Sequence, residues 1–153
     1  MNTRLTWNST LETGVRMIDL QHQELIELIN ELEIEHEHGR DDAALKNILP
    51  RLTAYVLFHF STEEDLMANV MASDPHAIRH VEEHREFAEK VALFKTDRCI
   101  DPIRTLVQLL AYLRSWLVEH IMSTDKELGE YILSRGHQHR AAFSYPVKLA
   151  SND

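Results

Sequence analysis

Residues 74–84 read Asp74-Pro75-His76-Ala77-Ile78-Arg79-His80-Val81-Glu82-Glu83-His84. An Asp that can cap, followed by Pro at the first helical position, is a helix start. The helix it opens carries two imidazoles four residues apart, and positions four apart share one face of an α-helix. The apolar period runs on to about Phe94, so this stretch predicts a long helix presenting two nitrogen donors to its neighbours.

Three further segments carry the same 3.6-residue period. One runs from about Ile18 to His38, with Ile18, Leu25, Leu28, Ile29 and Leu32 on one stripe, Asp19 as its expected N-cap and Gly39 as its stop. Another starts near Asp41 or Asp42 and passes through Leu45, Ile48, Leu49, Leu52, Val56 and Phe60 to about Asn69. Pro50 lies inside it and either kinks the helix or marks its real start. The last opens at Asp101-Pro102, runs to about Leu133 and is closed by Gly136. Four helices with short connections predict an all-α fold, an antiparallel up-down-up-down four-helix bundle over 18–135. An N-terminal arm, 1–17, holds Trp7 against it, and 136–153 form a C-terminal tail of the same single domain.

Composition agrees. The 153 residues have only four Gly and four Pro, too little turn punctuation for an all-β chain. A formal net charge of −9 argues against nucleic acid and against an anionic membrane surface. No apolar stretch approaches the ~20 residues that cross a bilayer. The single Cys99 cannot form an intramolecular disulfide, and the first ten residues do not read as a signal peptide, so the expected location is the cytoplasm.

The donors are not confined to one helix. His59 and Glu63 are four apart on the second helix, His22 lies on the first, and His120 with Asp125 on the fourth. Five imidazoles and two carboxylates are too many for one ion, but two ions sharing the carboxylates would use them all. Nitrogen and oxygen donors without thiolate favour iron, manganese, copper or zinc. His120 and Asp125 are five apart, roughly 140° around an ideal helix, so convergence demands a distortion within 121–125, such as a π-type turn.

The motifs Ile18-Asp19-Leu20-Gln21-His22, His59-Phe60 through Glu63-Glu64, His80 through His84, and Trp116-Leu117 through His120-Ile121 to Asp125-Lys126 resemble the hemerythrins, most closely their bacterial single-domain members. Leu5-Thr6-Trp7 fits the preceding arm, and the resemblance spans about residues 5–133. It implies a non-haem centre of two iron ions (Fe2+/Fe3+) with an oxo or hydroxo bridge, binding O2 reversibly for transport, storage or delivery. By position, Glu63 and Asp125 would bridge, His80, His84 and His120 would complete the saturated iron, and His22 and His59 would hold the iron with an open position. Leu25, Phe60, Trp116, Leu117 and Ile121 would line the O2 pocket.

Five neutral imidazoles against two carboxylates favour the ferrous pair, whereas O–O cleavage is served by carboxylate-rich sites. The competing expectations are a di-iron oxidase, peroxidase or NO-handling enzyme, and a stand-alone sensor of O2, redox state or iron. No acid–base pair stands apart from the ligands, so a non-enzyme is expected. A protein recipient of O2 and a monomeric chain complete the expectations, and the tail from Gly136 to Asp153 is where a stand-alone sensor would contact its partner. Ligating histidines should give their second ring N–H to carboxylates or carbonyls, with Glu24, Glu64 and Glu83 near in sequence. His76, four before His80, offers an alternative register; the flanking Glu83 and Phe87 favour His80/His84 and leave His76 facing solvent. His36, His38, His137 and His139 read as solvated, and Cys99 as a bystander thiol.

Overall fold

In the computed structural model, residues 4–97 and 100–135 are described. The chain forms helices α1 (Arg16–Glu37), α2 (Asp41–Asn47), α3 (Leu49–Val70), α4 (Pro75–Asp97), α5 (Pro102–His120) and α6 (Lys126–Ser134), with a π-helical turn, Ile121–Asp125, joining α5 to α6. No strand occurs among the described residues. α1, α3, α4 and the α5–α6 rod are the four members of the bundle. α1 packs on α3 and α5, and α4 on α3 and α5, so each member touches its two neighbours in chain order. The expected Gly136 stop, the 136–153 tail, Cys99, His137 and His139 lie outside the described residues.

The helix ends follow local chemistry. Gly39, at φ +68°, stops α1 in the left-handed region that costs a side-chain-bearing residue more. The break between α2 and α3 falls at Ile48, and Pro50 occupies the first turn of α3, where its missing N–H costs nothing. Asp74 Oδ1 accepts the His76 N–H at 2.8 Å, and Asp101 caps α5 by accepting the Arg104 N–H at 3.0 Å. Asp19 is not the N-cap expected of it. α1 starts three residues earlier, at Arg16, and Asp19 instead reaches back to accept the Thr13 N–H and Oγ1–H, both at 2.8 Å, and the Gly14 N–H. It ties the arm to the bundle.

The arm crosses the bundle closely. Gly129 of α6 faces Thr13, and a Cβ there would fall 2.4 Å from the Thr13 carbonyl oxygen. The main apolar core runs between α1, α2, α3, α4 and α5, through Leu32, Leu45, Leu49, Leu52, Leu106, Leu109 and Leu113. A second cluster, Ile18, Met67, Met71, Ala77, Leu128 and Ile132, closes the opposite end. Between the two lies a layer of buried polar side chains. No helix among the described residues is long and apolar enough to cross a membrane.

Candidate metal centre

That polar layer is built from all four bundle members. His22 comes from α1, His59 and Glu63 from α3, His80 and His84 from α4, His120 from the end of α5 and Asp125 from the end of the π turn. All seven are at most 5% exposed, so none is solvated from outside. The Lys126 N–H bonds to the Ile121 carbonyl, five residues back. This wider turn brings Asp125 round to the face that carries His120, with His120 Nε2 2.9 Å from Asp125 Oδ1. The distortion expected from the five-residue spacing is present, and in the expected segment.

The two carboxylates divide the site in the same way. Glu63 Oε1 lies 3.4 Å from His59 Nε2 and 3.8 Å from His22 Nε2, while its Oε2 lies 3.3 Å from His80 Nε2 and 3.1 Å from His84 Nε2. Asp125 Oδ2 lies 2.8 Å from His22 Nε2, while its Oδ1 is 3.0 Å from His80 Nε2 and 2.9 Å from His120 Nε2. Two groups of converging atoms result. Glu63, His80, His84, His120 and Asp125 form one, and His22, His59, Glu63 and Asp125 the other; in each group the donor atoms lie within 4.8 Å of one another.

The chemistry of this layer fits cations. Both oxygens of Glu63 and of Asp125, and the Nε2 atoms of His80, His84 and His120, are buried without a hydrogen-bond partner. Orphaned buried polar atoms are costly, and seven aimed at two points is a cost that metal ions remove. Protonation tells the same story. Burial, aided by His22, lowers the His59 pKa to about 3, and burial, aided by His80 and His120, lowers that of His84 to about 2. Neutral imidazole is the ligating form. Burial also works against charge on His120, but Asp125 and Glu83 outweigh it and raise its pKa to about 10. Burial and the nearby Asp125 push the Glu63 carboxyl well up. Burial opposes the Asp125 charge too, yet His120, His22 and His80 hold that carboxyl well below its usual range.

The outward nitrogens of the histidines are held in turn. His59 Nδ1 meets Gln21 Oε1 at 2.8 Å, His84 Nδ1 meets Glu64 Oε1 at 3.0 Å, and His120 Nδ1 meets Glu83 Oε2 at 2.9 Å, where Thr124 Oγ1–H also donates. Glu64 and Glu83 were flagged by their closeness in sequence; Glu24 is not among the partners, and Gln21 was missed. Gln21 stands about 100° round α1 from His22, and no spacing in the sequence points it at His59.

His76 is the clearest departure from expectation. It is 5% exposed rather than solvent-facing, and its Nε2 lies 3.1 Å from His80 Nδ1. It does not replace His84 in the converging group, since His80 turns Nε2 inward and only Nδ1 toward His76.

Aromatic rings clamp two of the imidazoles. Phe60 stacks on His84 with centroids 3.7 Å apart, and Trp116 stacks on His120 at 4.3 Å. Trp7 of the arm lies 6.5 Å from the His22 ring. Beside the layer is an apolar void of about 10 Å³, lined by Leu25, Phe60, Trp116 and Leu117 among others, and bordered by His59, His120 and Asp125. Ile121 is fully buried at the start of the π turn but does not line this void.

Comparison with known proteins points the same way. The family model described as the Hemerythrin HHE cation binding domain matches residues 13–132. The chain is 32% identical over 123 residues to the bacteriohemerythrin of Pseudomonas aeruginosa, covering 79% of this chain and 76% of that one. It is 30% identical over 126 residues to the bacteriohemerythrin of Clostridium acetobutylicum, covering 79% and 95%. It is 31% identical over 119 residues to a hemerythrin-like protein of Naegleria gruberi, covering 78% and 86%. On these matches, and on the bundle that carries them, the chain belongs to the hemerythrin family.

Proposed function

We propose that the protein binds O2 reversibly at a centre of two iron ions bridged by Glu63, Asp125 and a solvent-derived oxo or hydroxo group. The observation that carries this reading is the even division of the carboxylates, each giving one oxygen to the His22/His59 side and one to the His80/His84/His120 side. His80, His84 and His120 with one oxygen from each carboxylate would hold one ion, and His22 and His59 with the other two oxygens would hold the second with one fewer protein donor, which would leave room for a diatomic ligand. When bound, the irons supply the electrons that O2 binding requires.

This chain's own residues would make that binding reversible. Imidazole donors outnumber the carboxylates, which keeps the ferrous pair accessible. Leu25, Phe60, Trp116 and Leu117 line the space next to His59 with apolar surface and exclude bulk water. That space, about 10 Å³, is near the lower limit for one water-sized molecule and too small for an organic substrate. A carrier role is therefore favoured over an oxygenase.

The test is the visible spectrum of anaerobically reduced, iron-loaded protein, recorded before air, after air and after O2 removal. A band that rises with O2 and fades when O2 is removed supports reversible binding. A single change that does not reverse, or steady turnover with a reductant, would make the protein an oxidase or redox sensor instead.

A further inference from the structure

His76 is a buried imidazole that the seven-donor centre does not use. Both His76 and His80 lie on α4, one turn apart, and the contact between them is a 3.1 Å approach of His76 Nε2 to His80 Nδ1 with the rings nearly perpendicular, at 87°. The other nitrogen of His76, Nδ1, is buried and faces Oε2 of the exposed Glu127 at 3.3 Å. Arg79 Nη2, 3.4 Å away, holds the same Glu127 oxygen.

The tautomers follow in order. If His80 gives Nε2 to a metal, its only proton sits on Nδ1, and that proton points at His76 Nε2. His76 must then keep Nε2 free to accept and carry its own proton on Nδ1, the atom that faces Glu127. Glu127 is a pure acceptor when ionised, so every atom along the line finds the role it needs. With His80 Nε2 given to a metal, a proton on His76 Nε2 would face the His80 Nδ1–H across 3.1 Å.

We propose that His76 is a positioning residue for His80: by accepting the Nδ1 proton of His80 it fixes that ring with Nε2 turned inward between Glu63 and Asp125, while Glu127 sets the tautomer of His76. This rests on the two-metal reading. It also makes the three histidines of one group unequal, since His84 and His120 are held by carboxylates and His80 by a neutral imidazole. Outer partners of this kind change metal affinity about 10–100-fold when removed.

Two measurements decide it. The first is the 15N chemical shifts of the histidine rings in zinc-loaded wild-type protein, which report which nitrogen bears the proton. His76 is expected with Nδ1 protonated and Nε2 bare, and the reverse tautomer would overturn the proposal. The second is release of Fe(II) from anaerobically loaded protein to excess chromogenic chelator, for the wild type, His76→Leu and His76→Gln. Leucine cannot accept the proton, whereas glutamine can accept through Oε1 and donate through Nε2. One of the two ions is expected to leave His76→Leu about tenfold faster, at the low end of that range, with His76→Gln within about twofold of the wild type. Equal release from all three proteins, or equal acceleration in both variants, overturns the role of His76. A wild type that takes up no pair of ions overturns the two-metal reading itself, a distinct result visible before any variant is compared.

Discussion

Glu63 shows why single residues matter so much here. It is fully buried, both its oxygens lack hydrogen-bond partners, and its carboxyl is pushed well above its usual pKa by burial and by Asp125. Such a group is tolerated for what it binds, not for what it contributes to packing. Glu63→Ala is therefore expected to lose one or both ions while the metal-free chain stays folded, read as iron per chain beside circular dichroism. Loading should also expel protons. His120, with its pKa raised to about 10, holds a proton at neutral pH that a cation would displace, and the upward shift of Glu63 favours the same exchange, whereas His59 and His84 are already neutral. Metal affinity should rise with pH between about 6 and 8, with proton release measurable in weakly buffered titrations. Four of the seven candidate donors, His59 with Glu63 and His80 with His84, were legible at this scale because a four-residue spacing survives any detail of packing. Their outer partners were legible only in part, since Glu64 and Glu83 were near in sequence but could not be assigned to a particular histidine. Whether Gln21 reaches His59 across two helices depends on rotamers and on how α1 and α3 cross, and His76 illustrates the same limit. Its spacing from His80 was visible, but not its burial or its approach to Glu127 of α6, a long-range contact.

At the scale of elements, the π turn is the decisive device. A regular helix would carry Asp125 well away from His120, and one extra residue in the turn cancels the error. Deleting the exposed Met122 should restore a regular helix, leave helical content almost unchanged and abolish binding of at least one ion. Unchanged metal content in that deletion would show that the turn has no part in the site. This feature was readable from sequence, because five-residue spacing with convergence admits few solutions. The arm was read less well. Asp19 looked like a cap but serves as an anchor for Thr13 and Gly14, a long-range use that local pattern does not reveal. Gly129, pressed against the Thr13 carbonyl, makes the arm's position testable. Gly129→Ala should cost about 1–3 kcal/mol, by overpacking, in denaturant unfolding. A neutral or stabilising result would mean that the arm yields without loss.

For the whole molecule, the charge state of the layer should govern the stability of the metal-free chain. Between about pH 3 and 6.5 the unfolded chain protonates His59 and His84, whose folded pKa values are about 3 and 2, so stability should fall on acidification, with the raised Glu63 carboxyl opposing the trend. Above pH 6.5 the sign reverses. Folded His120, up to about pH 10, holds a proton that the unfolded chain has released, so stability should fall as pH rises. The metal-free chain should be most stable near pH 6.5, and metal should flatten the profile. Urea unfolding across this range checks it; a monotonic profile would contradict the assignment. The bundle itself was legible throughout, since four apolar periods with capped starts leave little choice of architecture, and only the short α2, separated from α3 at Ile48, was merged into its neighbour by the pattern.

The most direct measurement is iron K-edge X-ray absorption on protein loaded anaerobically with Fe(II), with iron per chain determined on the same sample. Two irons per chain, in a nitrogen- and oxygen-rich shell with metal–metal scattering at about 3.5–4 Å, is the result expected of ions bridged by Glu63 and Asp125. One iron per chain, or two without a metal–metal shell, would contradict a shared centre.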